Sequence, residues 1–156
     1  MGKVMRKNSI IIFIISILFI QCNNSIEPNY ELEFSEMEIH YSRSGQGGKV
    51  TLNIYNNGLV NAYYSYGGDT LKSSSRFLKD SEQNKLVSQF ESFSTYKSHY
   101  DPLINITDQD YITIIFSYSG MPDTVSVNMP YAADLPDRLK TIIASLENIW
   151  GEMIDL

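Results

Sequence analysis

Few residues in this chain are equipped for chemistry: two histidines, His40 and His99, one cysteine, Cys22, and two short acidic runs. Two imidazoles can hold a metal or share acid–base work only where the fold makes them converge, and nothing in their spacing does so. Glu31, Glu33, Glu36 and Glu38 fall mostly on the solvent face of a strand pattern. Asp108 and Asp110 offer oxygens to a hard cation, but the run lacks the further oxygens and the glycine of a calcium loop, and turn chemistry accounts for it. No serine sits in a nucleophile elbow. Gly45-Gln46-Gly47-Gly48 lacks the Lys-Ser/Thr that follows a phosphate loop and reads as a hairpin connection. The expectation is a protein without catalytic residues, metal or cofactor.

Cys22 is different because of what precedes it. Lys3, Arg6 and Lys7 lead into an apolar run, Ile10 to Ile20, interrupted only by Ser16. As a helix that run is roughly 16 Å long, at about 1.5 Å per residue, whereas a spanning helix needs about 20 apolar residues for about 30 Å of hydrocarbon. Beyond it stand Gln21, Asn23, Asn24 and Glu27, all unfavourable in lipid. A basic start and a short apolar core make an export signal. It ends in Leu18-Phe19-Ile20-Gln21-Cys22, which resembles the lipobox of bacterial lipoproteins, with Leu18 one place further out than usual and Gln21 where a small residue is common. The resemblance implies that Cys22 becomes the first mature residue and carries a thioether-linked diacylglycerol. It also implies, through Asn23, an outer-membrane position facing the periplasm. A lone cysteine forms no intrachain disulfide, so the domain is held by its core alone.

The chain divides into a signal peptide over 1–21, a lipidated tether over 22–30 and a single domain over 31–156. With the signal's three cations removed, 9 basic and 18 acidic residues remain, a net charge of −9. Such a domain is repelled by nucleic acid and by anionic lipid, so membrane attachment rests on the acyl chains.

Tyrosine is the other conspicuous residue. Tyr55, Tyr63, Tyr64 and Tyr66 crowd the Asn57-Gly58 turn, and Tyr63, Tyr64 and Tyr66 are the candidate binding surface, for an envelope protein or a glycan. Alternation puts Tyr63 on the face opposite Tyr64 and Tyr66. Strand propensity and cross-strand packing account for the same residues.

The elements that would position these groups follow from periodicity. Met37, Ile39 and Tyr41 alternate with polar residues, after a bend near Ser35. Val50, Leu52 and Ile54 make a second strand, and a type I′ turn at Asn57-Gly58 returns the chain through Leu59 to Tyr66. Residues 69–79 are ambiguous, with a short edge strand around Ser74 to Leu78. A helix capped by Asp80, with Gln83 three residues on, carries Leu86, Val87, Phe90 and Phe93 on one face and runs towards Tyr96 and Tyr100. Strands over Tyr111–Tyr118 and Thr124–Met129 follow. A last helix begins near Asp134, with Pro136 in its first turn and a stripe from Leu139 through Ile142, Ile143, Leu146, Ile149 and Trp150 to Met153. The expected fold is α+β: an antiparallel sheet of about five strands with two helices packed on one face, in the order βββ-α-ββ-α.

Tyr41, Ile54, Tyr55, Gly58, Val60, Tyr64, Phe90, Phe93, Thr107, Asp108 and Leu139 together resemble the pattern of a group of small bacterial lipoprotein domains. Ser44 to Gly48 replaces that group's frequent Cys-Phe-Gly-x-Cys-Pro turn. The resemblance brings no activity with it. The expected function is a lipid-anchored, non-catalytic binding or structural module of the cell envelope. The alternative is a periplasmic inhibitor or accessory subunit acting on an envelope enzyme through the Ser44–Gly48 loop.

Overall fold

The computed structural model describes residues 32–102, 110–128 and 133–154. The expected signal peptide and tether, Cys22 included, lie outside the described residues, as do Thr107 and Asp108.

After a 3-10 turn over Phe34–Glu36, which supplies the bend expected near Ser35, four strands run as a meander: β1 (Met37–Gly45), β2 (Gly48–Ile54), β3 (Leu59–Tyr66) and β4 (Asp69–Phe77). Helix α1 (Asp80–Phe90) leads to a two-residue strand, β5 (His99–Tyr100). A hairpin of β6 (Tyr111–Tyr118) and β7 (Met121–Asn128) and helix α2 (Asp137–Ile154) complete the order. The strands form one sheet in the order β4-β3-β2-β1-β6-β7-β5. The α+β class holds, and the finer expectation is corrected: among the described residues the sheet has seven strands and is mixed, because β5 pairs with β7 in parallel.

The two extra strands have separate physical causes. β4 is mostly polar and exposed along most of its length, its apolar Leu71 and Phe77 included, so it carries little apolar alternation; its backbone is specified by the Gly67-Gly68 turn and by its ladder with β3. β5 is too short to show a period. The chain there leaves α1 at Phe90, makes a 3-10 turn over Phe93–Thr95, and lays Tyr100 beside Val127. Phe93 is buried as its helical spacing suggested, yet it lies past the end of the helix.

The turns differ from expectation in kind. At Asn57-Gly58 only the glycine has positive φ, at 82°, and the Asn57 side chain instead accepts the Leu59 N–H. Type I′ geometry, with positive φ at both central residues, occurs at Ser119-Gly120 (49° and 78°), which starts β7 at Met121, three residues earlier than expected. Helix α1 is capped one residue early: the Glu82 carboxylate, not Gln83, reaches back to the Lys79 N–H at 2.8 Å. In α2 the first turn begins after Pro136, whose carbonyl accepts the Lys140 N–H.

One face of the sheet supplies the core. Ile39, Tyr41, Leu52, Ile54, Val60, Ala62, Ile112, Ile114, Phe116, Val125 and Val127 alternate inward. Both helices cover this same face: Phe90 of α1 packs on Phe116, 5.0 Å between ring centroids, and Tyr41 bonds to Glu147 of α2. Each buried Leu, Ile or Phe contributes about 1.5–3 kcal/mol, so this layer stabilises the domain without a disulfide. The opposite face carries rows of small polar side chains, such as Ser75, Asn61, Asn53 and His40 in cross-strand register. Among the described residues no helix is long and apolar enough to cross a membrane.

Candidate functional site

Two charged residues fall in the buried phase of their elements. Arg43 follows Met37, Ile39 and Tyr41 on the inward face of β1, and Glu147 follows Ile143 by one helical turn in the apolar stripe of α2. A lone charge there would be costly. The fold answers by bringing them together with Asp110, which immediately precedes β6 in the strand next to β1. Arg43 NH1 donates to Glu147 Oε1 at 2.7 Å, while Nε (3.1 Å) and NH2 both donate to Asp110 Oδ2. The Tyr41 hydroxyl donates to the same Glu147 oxygen at 3.1 Å.

This cluster forms the polar side of a cavity of about 560 Å³ on the helix-covered face. Tyr41, Tyr64, Val50 and Trp150 supply its apolar walls, and Gly45, Gly47, Gly48 and Gly151 its rim. A Cβ at Gly45 would overlap the Asp110 carboxylate, so a larger residue there would have to displace that side chain. The Tyr64 hydroxyl donates to the Gly47 carbonyl at 2.7 Å, which ties β3 to the turn between β1 and β2. Trp150 is oriented by its indole N–H, which donates to the Tyr63 carbonyl at 3.0 Å.

Electrostatics follow from the packing. Burial, with the Glu147 carboxylate beside it, pushes the Tyr41 phenol far above its ordinary range, so it stays a neutral donor. Burial disfavours charge on Arg43, but its hydrogen bonds to Asp110 and Glu147 prevail and hold the guanidinium more firmly protonated than usual. The cluster is therefore one cation between two carboxylates. The cavity's volume lies within the roughly 300–1,000 Å³ of small-molecule sites.

The three tyrosines chosen from sequence do not form one surface. Tyr64 lines the cavity, half-buried. Tyr63 points to the opposite face of the sheet, as alternation requires, and is half-buried there, while Tyr66 is exposed at the strand's end. The histidines are also apart. His40 shares a hydrogen bond with Asn53 at 2.6 Å on the uncovered face, and His99 sits beside Asp101 at 3.0 Å. Three strand spacings, roughly 14 Å, separate β1 from β5. Asp110 pairs with Arg43, and Glu36 accepts the Ser119 hydroxyl at 2.6 Å. Among the described residues no group of three His, Cys, Asp or Glu side chains is placed to hold a metal ion.

Neither a protein-family model nor a curated protein matches the chain. Arg43 and Glu147 are absent from the sequence expectations, and Trp150 enters them only as part of the apolar stripe of the last helix. The legible cue was a charge in the buried phase of a strand and of a helix; pairing the two across 104 residues needs the fold.

Proposed function

We propose that this chain is a non-catalytic binding module of the bacterial cell envelope, held at the membrane by lipid on Cys22 and facing the periplasm from the outer membrane. The lipobox-like stretch ending at Cys22 supports the anchor. The observation that carries the binding reading is the cavity: aromatic and aliphatic walls, glycines at the rim, and charged groups held in place by one another. Both carboxylates are bonded to Arg43, and Tyr41 is locked as a donor, so the groups are arranged to hold and orient a ligand. Neither histidine lines the cavity.

The alternative, an inhibitor or accessory subunit acting through the Ser44–Gly48 loop, has less support. The β1–β2 ladder runs to the Gly45–Gly48 pair, which leaves only Gln46 and Gly47 to protrude.

The reading is tested by crosslinking the lipidated protein in its own membranes and mapping the crosslinked positions. Crosslinks concentrated on the cavity rim support it. Crosslinks confined to the Gln46-Gly47 tip favour the alternative, and crosslinks confined to the uncovered sheet face overturn both.

A further inference from the structure

Resting on the reading of this cavity as a binding site, we propose that its ligand is an organic cation, an ammonium group carried on an apolar body. The first argument is charge. Arg43 offsets one of the two carboxylates, Asp110 and Glu147, so one negative charge is left for a ligand to neutralise. The second is how the donors are distributed. Tyr41 and Arg43 both bond Oε1 of Glu147, and both Arg43 donors to Asp110 go to Oδ2. Among the described residues Glu147 Oε2 receives no hydrogen bond, while Asp110 Oδ1 packs against the Gly45 backbone. An acceptor oxygen on Glu147 and one uncompensated negative charge match an ammonium, which has donors and no acceptor.

The third argument is the walls. Tyr64 and Trp150 bring two rings to the cavity, with the fully buried Tyr41 behind them, and aromatic faces attract cations through their quadrupole, most strongly where water is partly excluded. The alternatives fit less well. A carboxylate or phosphate would meet net negative charge and a guanidinium already engaged on two sides. A neutral polyol would leave the charge uncompensated. The strongly acidic chain as a whole also draws cations and repels anions.

The test uses three matched, non-fluorescent probes: cyclohexylmethylammonium, cyclohexylmethanol and cyclohexanecarboxylate. They are titrated into the full lipidated chain in detergent micelles. Trp150 is the chain's one tryptophan and lines the cavity, so its emission reads occupancy directly. The ammonium is expected to bind about tenfold more tightly than the alcohol, with the carboxylate weakest and the preference falling as salt rises. Glu147→Gln neutralises the surplus charge and should bring the ammonium within about twofold of the alcohol while leaving the alcohol unchanged. Should that variant fail to fold, Tyr64→Leu serves in its place, with a larger loss expected for the ammonium than for the alcohol. Equal or tighter binding of the alcohol or the carboxylate overturns the cation and leaves the cavity a binding site. No response to any of the three probes in the folded wild-type chain overturns both readings.

Discussion

Trp150 of α2 donates its indole N–H to the main-chain carbonyl of Tyr63 in β3, 3.0 Å away and 87 residues distant in sequence. The bond sits beside the register shift at Tyr64/Ser65 in the β3–β4 ladder. It fixes the rotation of α2 over the sheet, and with it the positions of Glu147 and Gly151. Trp150→Phe keeps most of the apolar contact but leaves a carbonyl without its donor. Such a change costs about 1–3 kcal/mol. Urea unfolding should show a lower midpoint at unchanged slope.

Arg43 stands between two carboxylates, and all three side chains are partly exposed, Arg43 and Glu147 at 37% and Asp110 at 27%. Exposed pairs are worth roughly 0–1 kcal/mol, and this is a partly screened network. Arg43→Met removes the cation and leaves Asp110 and Glu147 repelling each other, with an expected loss of about 1–2 kcal/mol. Adding Glu147→Gln should recover part of that loss. The measurement is the coupling free energy of the double-mutant cycle, and simple additivity would contradict the network.

Gly45 and Asp110 are coupled by space alone. Gly45→Ala pushes the carboxylate away from Arg43, because the new methyl group would overlap it. Once Asp110→Ala has removed the obstacle, the same methyl should be nearly neutral. Thermal melts of the two single variants and the double variant are expected to be strongly non-additive, by about 0.5–3 kcal/mol as for contacting residues.

Glu82 sets a pH dependence. The bidentate Arg76 hydrogen bonds, at 2.7 and 2.9 Å, lower its carboxyl below the ordinary value of 4.5, against a smaller opposing effect of burial and with help from the Lys79 N–H. A carboxylate whose folded pKa is depressed adds stability above its unfolded pKa and loses it as pH falls through the folded one. The wild type should therefore lose stability as acid is added below about pH 4.5, where the unfolded chain takes up the proton first. Glu82→Gln should be less stable at neutral pH by about 1 kcal/mol and should show a flatter acid limb. Parallel slopes for the two proteins would exclude Glu82 as the source.

For the anchor, Cys22→Ser is expected to move the protein out of the membrane fraction and abolish fatty-acid labelling. Retained labelling in that variant would remove the lipid from Cys22.

What was legible before the fold follows from how local each feature is. Alternation in β1, β2, β3 and β7, the apolar β-branched run of β6 and the 3–4 stripe of α2 needed only neighbours in sequence. β4 had almost nothing to bury and β5 had two residues, so neither left a periodic trace. The Asn57-Gly58 turn was found but its geometry was not, since one positive φ at Gly58 and an Asn57 side-chain acceptor close the loop equally well. Tyr64, named with Tyr63 and Tyr66 as a candidate binding surface, is a half-buried cavity wall, which alternation alone does not show.

By itself the sequence determined the α+β class, the inward face of the sheet, the separation of Tyr63 from Tyr64, and the charge and composition that a partner meets. Only the tertiary structure decided that Arg43, Asp110 and Glu147 meet beside Tyr41, Tyr64 and Trp150. The reason is that a charge in a buried phase must be neutralised, but which distant residue does so depends on strand order and helix rotation, and neither is written in local periodicity.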